Sequence, residues 1–293
     1  MQLPAQQPAD PRLNDAYAWC EAELRAQDRD RWLACLCAPA EKRRHLHALY
    51  AFSLDVARIR ELVSDPRPGE IRYQWWRDAL EGEPRGDIAA HPIAHAVLDT
   101  AQKFRLPRAA LTNLVDARTF DLYDDPMPGL RQLEGYCGET CSALFRLAAL
   151  ILADGRDPGG ADATGHAGVA YALTGLLSAL PWHAARGQVY LPADVLARHG
   201  VAREAILAGN FTQEMRTTLA QLRAIARQHL AQSRAGFNAL DPVARAAFLP
   251  LALVEPQLLL MDKPGYEPFR SVVRLPQWRA QWVLWRAARK TAT

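Results

Sequence analysis

Between Leu46 and Val63 the apolar side chains fall at Leu46, Leu49, Phe52, Val56, Ile59 and Val63, steps of three and four that share one helix face. That period, repeated along nearly the whole chain, limits the fold more than any other feature. Similar spacing covers 16–36, 70–80, 93–104, 106–122, 130–152, 162–180, 212–237, 242–261 and 276–289. The pattern breaks at "SDPRPGE", "EGEPRGD", "DDPMPG" and "DGRDPGG", where Pro and Gly stop one helix and start the next. No segment alternates as a half-buried strand does, and only "QVYLP", 188–192, reads as extended. There is no internal repeat, low-complexity tract or long linker. The expectation is one all-α domain over 1–293, with 1–13 flexible.

Composition narrows the function classes. At 49% hydrophobic and 23% charged, the 293 residues suit an ordinary soluble globular domain with a sizeable core. The longest apolar candidate, ending at Leu258–Met261, is interrupted by Glu255 and Pro256 and is expected to fall short of a membrane span. The start "MQLPAQQPAD" carries neither a basic nor an apolar signal region, so a cytoplasmic location is expected. A net charge of +3 gives no reason to expect nucleic-acid binding. Cys35-x-Cys37 and His45-x-His47 have a superficial zinc look. Residues two apart diverge on a helix, so free thiols in a reducing compartment are expected there and no metal site.

The segment 161–183 is the most informative. Ala161, Gly165, Gly168, Ala172, Gly175 and Ala179 form a small-residue face, beside a larger stripe of Val169, Leu173, Leu176 and Leu180. Such a face either admits a neighbouring helix closely or leaves room for a ligand, and both readings stand. Continuing it downward reaches His183 and Arg186. Pro181 lacks a backbone donor and should end or kink the helix near Leu177.

These segments resemble the squalene/phytoene synthase family. "HALYAFSLDVARIRELVSD" looks like its first aspartate-rich helix, "YCGETCSALFRLAALILADG" like its central helix, and "YALTGLLSALPWHAARGQVYLP" like the second aspartate-rich helix. The closing Gly187-Gln188-Val189-Tyr190-Leu191-Pro192 is similar to the family's "GRxYLP". The resemblance, covering about 44–261, implies an isoprenoid-synthase-like helical bundle around a central cavity. It also implies an ancestral chemistry in which two DxxxD sets hold Mg²⁺ on a prenyl diphosphate.

That metal chemistry needs oxygen ligands on two facing helices. Aligned on the family, the first set falls on Ala57, Arg58 and Glu61, and the second on Ala179 and His183. Removing or inverting one close attraction between unit charges costs about 1 kcal/mol in water and about 4 kcal/mol at an intermediate dielectric. Within the family the chain resembles a divergent branch whose eukaryotic member is needed to assemble respiratory complex I. Tyr136 to Leu144, "YCGETCSAL", and the Pro181-Trp182-His183 triplet carry that likeness.

The resulting expectation is a catalytically degenerate, assembly-factor-like or binding protein that uses no cofactor. Its expected partners are complex I subunits or a membrane surface, and its expected place is peripheral at a bacterial inner membrane. The alternative is an active prenyltransferase that keeps Mg²⁺ on Asp55, Glu61 and Glu139; another is a protein that binds a prenyl lipid or quinone without turnover. The pocket or anion-binding candidates are Arg58, Tyr136, Ala172, Gly175, Ala179, His183, Arg186 and Tyr190. Tyr136 and Glu139 are expected to face the same cavity. Arg58 and Glu61 are expected either to form a weak surface pair or to plug the metal cavity.

Two aromatic patterns add expectations. Trp75 and Trp76 diverge by about 100° on a helix, so one alone can be central to the core. Near the C-terminus Trp278, Trp282 and Trp285 form a stripe flanked by Arg279, Arg286, Arg289 and Lys290. Packing of that stripe on the core is favoured over contact with an anionic membrane.

Overall fold

The structure, a computed structural model, describes residues 11–83 and 86–291. In chain order it contains α1 (Pro11–Gln27), α2 (Arg29–Cys35), α3 (Ala40–Arg58), α4 (Pro66–Glu81), α5 (Pro92–Lys103) and α6 (Arg108–Arg118). Then come α7 (Leu130–Cys137), α8 (Ala143–Leu152), α9 (Ala161–Ser178), α10 (Leu180–Ala184), α11 (Ala193–Arg198) and α12 (Arg203–Leu207). The last three are α13 (Gln213–Ala235), α14 (Val254–Met261) and α15 (Gln277–Thr291). Among the described residues there are no strands; "QVYLP" runs extended without a ladder partner. Of the segment expected to be flexible, 1–10 lies outside the described residues, and Pro11 already begins α1.

The helix boundaries follow local chemistry. The 16–36 pattern is two helices rather than one, because Asp28 turns its carboxylate onto the Arg31 N–H and caps α2. Asp65 caps α4 in the same way, with Pro66 at the first helical position, where no donor is needed. Gly82, at φ 89°, ends α4 in a left-handed conformation that residues with a Cβ avoid.

Packing assembles one core. α1 lies on α3 and α5, α3 also on α8, and α9 lies along α13. Leu49, Phe52, Leu111, Leu114, Leu144 and Leu147 are buried in that core. Trp76 is buried and Trp75 half-buried, as two adjacent helix positions require. The 3₁₀ segment Pro242–Leu253 sits under α8 and α15 and continues into α14. Contrary to the sequence expectation, the 20 residues Pro242–Met261 are long and apolar enough to cross a membrane, because Glu255 and Pro256 do not interrupt the helical run. Half of that stretch is buried within the bundle, as in a core helix.

A π-helical turn, Gly138–Ser142, joins α7 to α8 and explains part of the small face of α9. Ser142 Oγ donates to the Gly165 carbonyl at 2.7 Å, and a Cβ on Gly168 would stand 2.2 Å from the Ser142 backbone nitrogen. Gly168 is therefore a site of close helix approach. Gly175, about two turns further on, has open space where a Cβ would be. The small stripe thus packs at one end and faces a cleft at the other.

The C-terminal helix reverses its expected orientation. Ala280 and Leu284 are buried against Leu249, Leu253 and Ala34, while Trp278, Trp282 and Trp285 face outward. Small and branched side chains let α15 sit close to its neighbour, and the bulky indoles are left on the free side.

Candidate functional site

The end of α9 sets the site. α9 stops at Ser178, and α10 restarts at Leu180 with Pro181 in its first turn, the break that proline imposes. Gly187, at φ 78°, then reverses the chain. The extended residues that follow return along the bundle, and this places Gln188 and Tyr190 beside Asp121.

Asp121, in a 3₁₀ turn after α6, is the buried centre that sequence reasoning missed. Its carboxylate accepts from Tyr136 Oη at 2.8 Å, Tyr190 Oη at 2.9 Å and an Arg118 guanidinium nitrogen at 3.1 Å. Gln188 Nε2 donates to the Asp121 carbonyl at 3.0 Å. Burial pushes the phenols of Tyr136 and Tyr190 up, so both remain protonated donors. A carboxylate so fully engaged anchors the loop and has little capacity left to bind metal. The closing "GQVYLP" is in this way tied to α6 and α7 through one acid.

His183 lies against this anchor, its ring 4.8 Å from that of Tyr190. Burial first, then the charges of Arg118 and Arg186, push the imidazole down to about 4, with Gln188 acting in the opposite direction. It is neutral at physiological pH. The His183 Nδ1 and Arg118 Nε atoms are both buried and have no hydrogen-bond partner among the described residues. Arg186 is exposed and stacks on Trp182, 3.9 Å from the ring centre.

The first-helix candidates are engaged separately. Arg58 donates to Glu23 of α1 at 2.9 Å and lies 3.8 Å from Glu61. Asp55 accepts from the Trp76 indole at 3.0 Å. Glu139 is exposed on the π turn, and Tyr136 is buried beside Asp121. Among the described residues no three His, Cys, Asp or Glu side chains gather as a metal-holding group.

Arg31 occupies the space between the two family helices. Its guanidinium lies over Tyr50 of α3 at 5.3 Å and over Tyr171 of α9 at 5.2 Å, and it pairs with Asp28 at 3.3 Å. Below it a cleft of about 540 Å³ is lined by Gly175, Ala179, Tyr171, Asp28, Asp30 and Arg274. Ala172 is buried above the cleft. Sequence spacing offers no cue to Arg31, since its role depends on how α2 folds back after Asp28.

An all-helical bundle with these two facing helices and the Tyr190 loop defines a class, and comparison gives it a name. A family profile for squalene/phytoene synthases matches residues 24–286, and the chain belongs to that family. It is 30% identical over 259 residues to the rat NADH dehydrogenase (ubiquinone) complex I assembly factor 6, covering 88% of this chain and 78% of the relative. It is 24% identical over 286 residues to a 15-cis-phytoene synthase of Synechococcus elongatus, covering 91% and 90%. The fold matches a crystal structure of a dehydrosqualene synthase bound to ligand with a TM-score of 0.81 at 19% identity, over 96% of this chain and 98% of that one.

Proposed function

We propose that this protein does not condense prenyl diphosphates and acts instead in the assembly of respiratory complex I, in the manner its assembly-factor relatives are named for. What supports the reading is the chemistry of the residues at the two positions that the family resemblance aligns with metal-binding carboxylates. Arg58 stands ion-paired at the first, and Ala179 with a neutral, half-buried His183 stands at the second. A Mg²⁺-bridged diphosphate needs several carboxylate oxygens from both helices. Of the nearby acids, Asp55 accepts from the Trp76 indole and Glu61 lies beside Arg58. We place the protein in the cytoplasm, peripherally at the inner membrane, where complex I subunits would be its partners.

Deletion of the gene tests this. Loss of assembled complex I, restored by the intact chain, supports the role; normal complex I without the protein overturns it. A second reading, binding of a lipid or quinone without turnover, is favoured by the open cleft at Gly175 and Ala179. The close approach at Gly168 limits any such ligand to the lower half of α9.

A further inference from the structure

The outward face of α15 carries more apolar and positive surface than a helix facing only water needs. Trp278, Trp282 and Trp285 are 70, 53 and 47% exposed, and the last two rings stack 5.1 Å apart. A single exposed tryptophan is ordinary, but a row of three forms a continuous apolar patch of the kind that marks an interaction surface. The same helix holds Arg279, Arg286, Arg289 and Lys290 and no acid, so its four cations exceed the +3 of the whole chain.

A groove of about 570 Å³ opens beside this stripe, lined by Arg234, Arg245, Phe248, Trp282 and Arg286 among others. Arg245 Nε is buried there and has no hydrogen-bond partner among the described residues. The groove arginines Arg234, Arg245 and Arg286 supply cations of the kind that pair with a phosphate. Arg289 lies over the Trp285 ring at 4.9 Å, so cation and indole are presented together.

We propose that α15 docks this chain on an anionic phospholipid bilayer. The three tryptophans enter the headgroup region, and the arginine-lined groove takes a lipid phosphate. Tryptophan favours that interface because its ring is apolar and its N–H polar, and cationic side chains are drawn to acidic headgroups. Charge sign selects this occupant over an apolar partner helix, which would offer the arginines of α15 no counter-charge. The assignment rests on the peripheral inner-membrane placement proposed above and names the surface for it; vesicle binding tests it separately from the complex I role.

Co-sedimentation of the full chain with vesicles decides it. Equimolar phosphatidylcholine and phosphatidylglycerol vesicles should bind the protein, pure phosphatidylcholine should bind it far more weakly, and added salt should release it. The double variant Arg286→Glu, Arg289→Glu should bind the acidic vesicles at least about tenfold more weakly, since each cation near the surface contributes appreciably. Trp282→Ser should weaken binding with the charge unchanged. All three substituted side chains are exposed, so helix content measured by circular dichroism should not move. Failure of the intact chain to bind acidic vesicles, or undiminished binding by the charge-reversed variant, overturns the proposal and leaves α15 as a surface for an acidic protein.

Discussion

Arg58 donates to Glu23 at 2.9 Å, so a cation bound to α1 stands where the family resemblance places a metal-binding carboxylate. The two side chains are 34% and 29% exposed, which makes this a partly screened pair. A double-mutant cycle on Arg58→Ala and Glu23→Ala should give a coupling of no more than about 1 kcal/mol in urea unfolding. A much larger coupling would mean that the pair is a structural keystone and that its presence says little about lost metal binding.

Asp121 carries a heavier load. Asp121→Asn keeps the shape but leaves the largely buried Arg118 without its counter-charge, an arrangement that costs up to about 3–5 kcal/mol when burial is complete. Urea unfolding should show a loss of that order, and Tyr190→Phe, which removes one donor, about 1 kcal/mol. Equal small losses for both variants would contradict the role of Asp121 as the anchor of the "GQVYLP" loop.

His183 makes stability depend on pH. Its folded value of about 4 lies below the usual 6.5, so the unfolded chain binds the proton more readily. The stability contributed by a neutral His183 is fully present above about pH 6.5 and is lost as pH falls from there toward about 4. His45, pushed down to about 3 by burial and then by Lys103, acts in the same direction. Unfolding midpoints should fall over that window, and the fall should be shallower in His183→Gln. An unchanged slope in that variant would show that His183 does not drive the pH dependence.

The two ends of the small face of α9 should answer differently to one methyl group. Gly168→Ala meets the Ser142 backbone at 2.2 Å and should cost about 1–3 kcal/mol through overpacking. Gly175→Ala enters open space and should be neutral, or stabilising by up to about 1 kcal/mol. Thermal melts of the two variants separate them directly.

The helical class and most helix positions are legible from period and punctuation, because both are local. The Pro181 break is visible for the same reason. Asp121 is not, although Arg118 and Asp121 sit three apart in the sequence, because only tertiary packing buries that pair and brings Tyr136 and Tyr190 to it. Size alone would turn the Trp stripe of α15 inward, whereas Ala280 and Leu284 provide the closer fit.

Incubation of the folded protein with farnesyl and geranylgeranyl diphosphate, with and without Mg²⁺, tests the central claim most directly, with released diphosphate as the readout. A chain without its metal sites should show no Mg²⁺-dependent release above the protein-free rate. Mg²⁺-dependent release that is abolished in Asp55→Asn or Glu61→Gln would contradict that claim and return those acids to metal binding.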